Sequence, residues 1–158
     1  MRLTLPLAFV LFTALLPSAR GGADSKRWIN SAACAEQCEQ IQSCATKAHR
    51  ADQGRVLCHI AACESGKFCG KKEVRSPNGL YHGPFQFGRP TWKSVCQPLF
   101  KKTGITTCSG KRSIYDTCCT SMCAAEVIGA ELNNGIKNWP RCGPAAERAV
   151  ASENNSKN

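Results

Sequence analysis

The sequence predicts a single α+β domain, mostly helical, with a small β or loop segment after its second helix and disulfides holding the helices together. Three observations predict it. Apolar and cysteine residues recur at helical spacing in four stretches. Glycines and prolines crowd into residues 67–90, between two of those stretches. All twelve cysteines lie at Cys34 or beyond, and an even count in an exported chain of this size reads as a disulfide framework.

The chain opens Met1-Arg2-Leu3, runs through the apolar Leu5 to Leu16, and reaches small residues at Ser18-Ala19 and Gly21-Gly22-Ala23. That order predicts a secretory signal peptide over residues 1–23, cleaved after Ala19 or Ala23, and an extracellular mature protein. No other segment approaches the roughly 18 apolar residues of a spanning helix, so no transmembrane anchor is expected. Removing 23 of 158 residues leaves about 135, enough for one compact domain, and a monomer is expected.

Within the domain, Cys34, Cys38, Ile41 and Ala45 mark a first helix in residues 28–48, part of a cysteine-containing segment, 24–55, that packs on the rest. A second helix runs from about Arg55 to Ser65, with Leu57, Ile60, Ala61 and Glu64 on one face and Gly66 as its left-handed stop. Residues 67–90 form loops and a small hairpin. A third helix starts near Pro90-Thr91, with Trp92 as a core residue and Pro98 bending or ending it. Lys101–Lys111 reads as loop, and Ser113 is placed to cap the next helix. That helix, from Cys118 to Leu132, is apolar nearly all round and therefore buried and central, with Asn134-Gly135 stopping it. Residues 144–158 read as a polar tail, disordered from Ala149, with a glycosylation sequon at Asn154.

The full chain carries +10, and +8 once Arg2 and Arg20 are removed. Such a surplus favours an anionic partner, a bacterial cell wall or an anionic membrane. Nucleic acid is the weakest of the anionic candidates, and not the partner expected, because the basic residues are scattered and an oxidising exterior is the wrong place. Zinc is set aside too, for want of paired C-x-x-C units and with only three histidines.

Glu64 is the residue with the clearest chemistry. It shares an apolar face and occupies the last turn of its helix, where burial and the negative end of the helix dipole both disfavour the carboxylate. A raised pKa is what a general acid near neutral pH requires. A solvent-facing acid is the plainer reading, and the downstream segment decides against it.

The string Ala62-Cys63-Glu64-Ser65-Gly66, then Asn78 to Phe87 with Gly83-Pro84-Phe85-Gln86-Phe87, then Thr91-Trp92, resembles the transglycosylase-like domain of resuscitation-promoting factors. It also resembles, more loosely, lytic transglycosylases. The likeness resumes at Ala124-Ala125-Glu126-Val127 and at Asn138-Trp139-Pro140-Arg141-Cys142-Gly143, and covers residues 56–143. It implies a lysozyme-like fold acting on peptidoglycan without a cofactor or metal, with Glu64 as catalytic acid and Gln86 lining the sugar cleft. It also implies a Cys63–Cys142 disulfide.

Phe85-Gln86-Phe87 and Trp92-Lys93-Ser94-Val95-Cys96 are similar to invertebrate-type lysozymes as well. Those enzymes pair their glutamate with an aspartate, and here Ser76 falls about where it would stand. Glu73, in a basic loop, is the one other acid in the interval and the candidate second carboxylate. A retaining glycosidase needs two carboxyl groups about 5–5.5 Å apart and an inverting one about 6.5–9.5 Å. A single acid is sufficient where a muramyl hydroxyl attacks in place of water. Tyr81, Phe85 and Trp139 are candidate sugar-binding aromatics. His82 reads as a surface histidine, and Glu126 as a polar partner on the central helix. The alternative to a glycosidase is a non-enzymatic cationic wall binder or membrane-active antimicrobial protein.

Overall fold

The computed structural model describes residues 32–65, 69, 71 and 73–156; the expected signal peptide and the Gly66 helix stop lie outside them. Helix α1 spans Ala32–Lys47 and buries Cys34, Cys38, Ile41, Cys44 and Ala45, the stripe its spacing predicts. A 3₁₀ turn at Ala51–Gln53 leads into α2, Gly54–Ser65, which buries Leu57 to Ala61. The Ser65 hydroxyl donates to the Ala61 carbonyl at 3.0 Å and closes its last turn.

The glycine-rich stretch forms a two-stranded antiparallel hairpin, β1 (Tyr81–His82) and β2 (Phe87–Gly88), with His82 opposite Phe87. Arg75 bridges to His82, and the Gly83 amide donates to the Val74 carbonyl at 2.9 Å, so residues 74–76 line the outer side of β1. Gly83 has φ +73°, and a Cβ there would meet the Ile114 carbonyl oxygen at 2.7 Å. Only glycine lets the hairpin seat that closely on the chain behind it.

Helix α3, residues 89–103, starts as an α-turn (Arg89–Thr91), widens to a π-helical stretch (Trp92–Cys96) and continues as α-helix (Gln97–Thr103). Pro98 therefore does not end the helix. It enters at the start of the last segment, just after the wide π turn, where its missing N–H and bulky ring are most easily accommodated. The expected loop from Lys101 begins only at Gly104, whose left-handed φ of 72° stops the helix.

Helix α4, Thr117–Gly129, is capped by Asp116, whose carboxylate accepts from the Cys119 amide at 2.8 Å. The cap expected at Ser113 is not formed; its hydroxyl donates to the Gly110 carbonyl, within the approach to a 3₁₀ turn at Ser113–Tyr115. Cys119 through Ala125 are all buried, as an all-round apolar helix requires. The helix ends at Gly129, before the expected stop at Asn134-Gly135, and the chain reverses through positive φ at Glu131, Asn133, Asn134 and Gly135.

The polar tail expected over 144–158 is instead helix α5, Cys142–Asn155. It packs along α2, to which Cys142 is bonded through Cys63, buries Cys142, Gly143 and Ala146, and its Glu153 binds Arg55 at 2.6 Å and His59 at 3.0 Å. Asn154 lies exposed on this helix. Helix α1 packs on α2 and α4, so the N-terminal segment belongs to the same core. Six disulfides use every cysteine: Cys34–Cys69, Cys38–Cys58, Cys44–Cys118, Cys63–Cys142, Cys96–Cys123 and Cys108–Cys119. The protein is thus mostly helical with one small sheet. Its disulfides fit an oxidising compartment. Among the described residues no helix is long and apolar enough to cross a membrane.

Candidate functional site

Glu64 sits one residue before the end of α2, half-buried on the face that carries the fully buried Leu57, Ile60 and Ala61. Burial raises its pKa above the ordinary glutamate range, and the nearby Arg141 guanidinium partly offsets that rise. The two influences have one structural origin. Cys63 precedes Glu64, Cys142 follows Arg141, and the Cys63–Cys142 disulfide brings the two neighbours together. The side chain is thus biased toward the acid form, yet has a cation at hand for the carboxylate that remains once the proton is given away. Arg141 was not singled out from the sequence, although its adjacency to Cys142 pointed to it once that disulfide was implied.

Gln86 occupies the hairpin turn with φ 53°, a conformation non-glycine residues adopt rarely. Its side-chain amide donates to the Gly83 carbonyl at 2.8 Å, and this bond ties both ends of the Gly83–Gln86 turn. Tyr81 is 47% exposed, next to the 62% exposed Leu80, and offers an open aromatic face. Phe85 and Trp139 do not: they are 1% and 4% exposed and pack against each other and Phe87 in the core. The Trp139 indole N–H donates to the Phe85 carbonyl at 2.9 Å, so this pair supports the turn that carries Gln86 instead of presenting rings to a ligand. Trp92 continues the same aromatic cluster through Phe87 and Phe100.

Glu73 is held by two arginines, Arg75 at 3.0 Å and Arg112 on its other oxygen. Ser76 belongs to the adjoining turn, where its hydroxyl accepts from the Tyr81 amide at 3.0 Å. His82, expected at the surface, is 2% exposed. It alternates inward from Tyr81, and two-residue strands are too short for that period to be seen in sequence. Glu126 pairs with Arg50 at 3.4 Å. Two cavities, of about 160 and 410 Å³, flank Phe100 and Ile105 on the α3 side; Glu64, Gln86 and Tyr81 line neither. No family model, curated protein or solved structure matches this chain.

Proposed function

We propose that this protein is a secreted glycosidase of lysozyme-like fold that cleaves the glycan of peptidoglycan, with Glu64 as general acid. One observation carries the reading: a half-buried glutamate at a helix end, with its pKa raised by burial, disulfide-linked through its neighbour to the segment bearing Arg141. The helical architecture, with a hairpin following the acid-bearing helix and Gln86 fixed in its turn, supports the same assignment.

In the reaction, the protonated Glu64 gives its proton to the glycosidic oxygen as the bond to the anomeric carbon breaks. The leaving sugar departs as an alcohol and the remaining ring carries oxocarbenium character. Arg141 stabilises the Glu64 carboxylate left behind. That carboxylate then takes the proton of the incoming hydroxyl, from water or from the muramyl 6-position. Glu73, neutralised by Arg75 and Arg112, is poorly placed electrostatically to serve as a second carboxylate, which favours attack by the substrate's own hydroxyl.

Glu64→Gln should lower the release of muropeptides from purified peptidoglycan by about 100-fold or more, the usual worth of a general acid. Clearance at the wild-type rate would end the assignment. Anhydro-muramyl ends on mass spectrometry identify transglycosylation, and reducing ends identify hydrolysis. The engagement of Glu73 also favours a second reading, a cationic wall binder without turnover. Peptidoglycan pull-down with no soluble fragments, unchanged in Glu64→Gln, is its signature.

A further inference from the structure

Three arginines and one glutamate gather around Tyr115. The Arg75 guanidinium carbon lies 5.0 Å from the centre of the tyrosine ring, and Arg89 donates to its hydroxyl at 3.2 Å. The Arg112 carbonyl accepts the Tyr115 amide at 2.9 Å, in the turn that holds the ring. Glu73 is, among the described residues, the one acid paired into this group, bridging Arg75 and Arg112. Among the described residues, Arg89 has no carboxylate partner.

Beneath the arginines lies His82. Its ring packs edge-on against Tyr115 with centroids 5.1 Å apart, and its backbone pairs with that of Arg75. Among the described residues neither ring nitrogen has a hydrogen-bond partner, although the side chain is buried. The Arg75 guanidinium lies against the ring, Arg89 on its hydroxyl and Arg112 on Glu73, so one glutamate leaves these three charges with two in surplus, which a further anion would offset. Glu73 shows the arrangement the group accepts: one carboxylate between two guanidinium groups, Arg75 on one oxygen and Arg112 on the other. On the opposite, outward side of the same strand from His82, Tyr81 offers an exposed ring of the kind that stacks on a sugar.

We propose that Arg75, Arg89 and Arg112, arranged about Tyr115, form a binding site for a carboxylate-bearing sugar chain, with Glu73 the internal carboxylate that the ligand displaces. The inference does not depend on Glu64 being catalytic. It carries a second consequence through His82, whose pKa is held below the ordinary histidine value by burial and then by the charges of Arg89 and Arg75. The groups facing it are Tyr115, Arg75 and Arg89, with Glu73 and Arg112 one contact further out. A bound carboxylate offsets the arginine charge and makes the imidazole easier to protonate. By linkage, protonation must then tighten binding.

The experiment is calorimetric and NMR titration of the intact, disulfide-bonded protein with oligogalacturonate, using its methyl ester as the uncharged control, at about pH 5.5 and about pH 7.5. The acid should bind in a saturable manner and about tenfold or more tighter than the ester, as charge-assisted forks provide. Binding should be tighter at the lower pH, and the His82 ring signals should report a raised pKa when ligand is bound. Arg89→Ala should lose about tenfold in affinity and Arg89→Lys, which keeps the charge without the fork, less than that. Glu73→Gln should bind severalfold tighter. Equal binding of acid and ester, an undiminished affinity in Arg89→Ala, or a His82 titration unmoved by ligand would each overturn the proposal. Near-UV circular dichroism of each variant separates a lost site from a lost fold.

Discussion

At the scale of single residues, Glu64 and His82 are perturbed in opposite senses by the same cause. Burial raises the acid and lowers the base, because in each it penalises the charged form. For Glu64 the acid form persists to higher pH than an ordinary glutamate allows, and activity should fall as pH rises through that raised value. Arg141 limits the rise, so Arg141→Gln should shift the alkaline limb of the activity profile to higher pH, read from initial rates on purified peptidoglycan. For His82 the unfolded chain takes up a proton near 6.5 that the folded imidazole refuses. Stability is therefore lost as pH falls from about 6.5 and stops changing once the folded group also protonates. His82→Leu should flatten this acid limb, measured as urea midpoints from neutral to mildly acid pH. The position of Glu64 was legible in sequence because one helical face and one helix end define it. The burial of His82 was not, since it depends on Tyr115 and on the arginines folded over it.

Among the secondary-structure elements, the helices with a stripe of apolar and cysteine residues were legible, and those governed by distant partners were not. Cys34, Cys38, Ile41 and Ala45 announced α1 through their spacing alone. Helix α5 has few apolar positions, and what fixes it comes from far away in the chain: the Cys63–Cys142 disulfide and Glu153 meeting Arg55 and His59. Burial alone would raise the Glu153 pKa, but its hydrogen bond and charge contact with Arg55, and then His59, bring it below the usual value. The clasp therefore holds at neutral pH and weakens as pH falls through that lowered value. The start of α4 was misplaced because Ser113 and Asp116 are both good caps, and only the backbone turn at Ser113–Tyr115 chooses between them. Asp116→Ala should cost about 1 kcal/mol of stability in urea unfolding, the usual worth of an N-cap.

For the molecule as a whole, the disulfides join every helix to another: α1 to α2 and α4, α2 to α5, and α3 to α4. Replacing Cys63 and Cys142 together by serine should remove about 2–5 kcal/mol, judged by thermal melts. The same double variant frees Arg141 from Glu64 and should move the pH profile as Arg141→Gln does. The architecture of the described residues, mostly helical with a hairpin behind α2, could be read from spacing and turn residues. Of the six pairings, only Cys63–Cys142 was expected, from the resemblance, and it is present; the other five could not be read, because twelve cysteines admit too many connectivities for sequence to choose among.

The bridges overlap so that every position from Cys34 to Cys142 lies inside at least one covalent loop. A protease that cuts one peptide bond there leaves the halves attached, and a gel without reductant shows a single intact species. Residues 70–95, however, contain no cysteine. Two cuts inside that span would release a piece bearing Tyr81, His82 and Gln86, held until then only by packing and hydrogen bonds. Digestion would thus remove the hairpin, within the longest cysteine-free stretch between Cys34 and Cys142, while the stapled remainder stays in one piece.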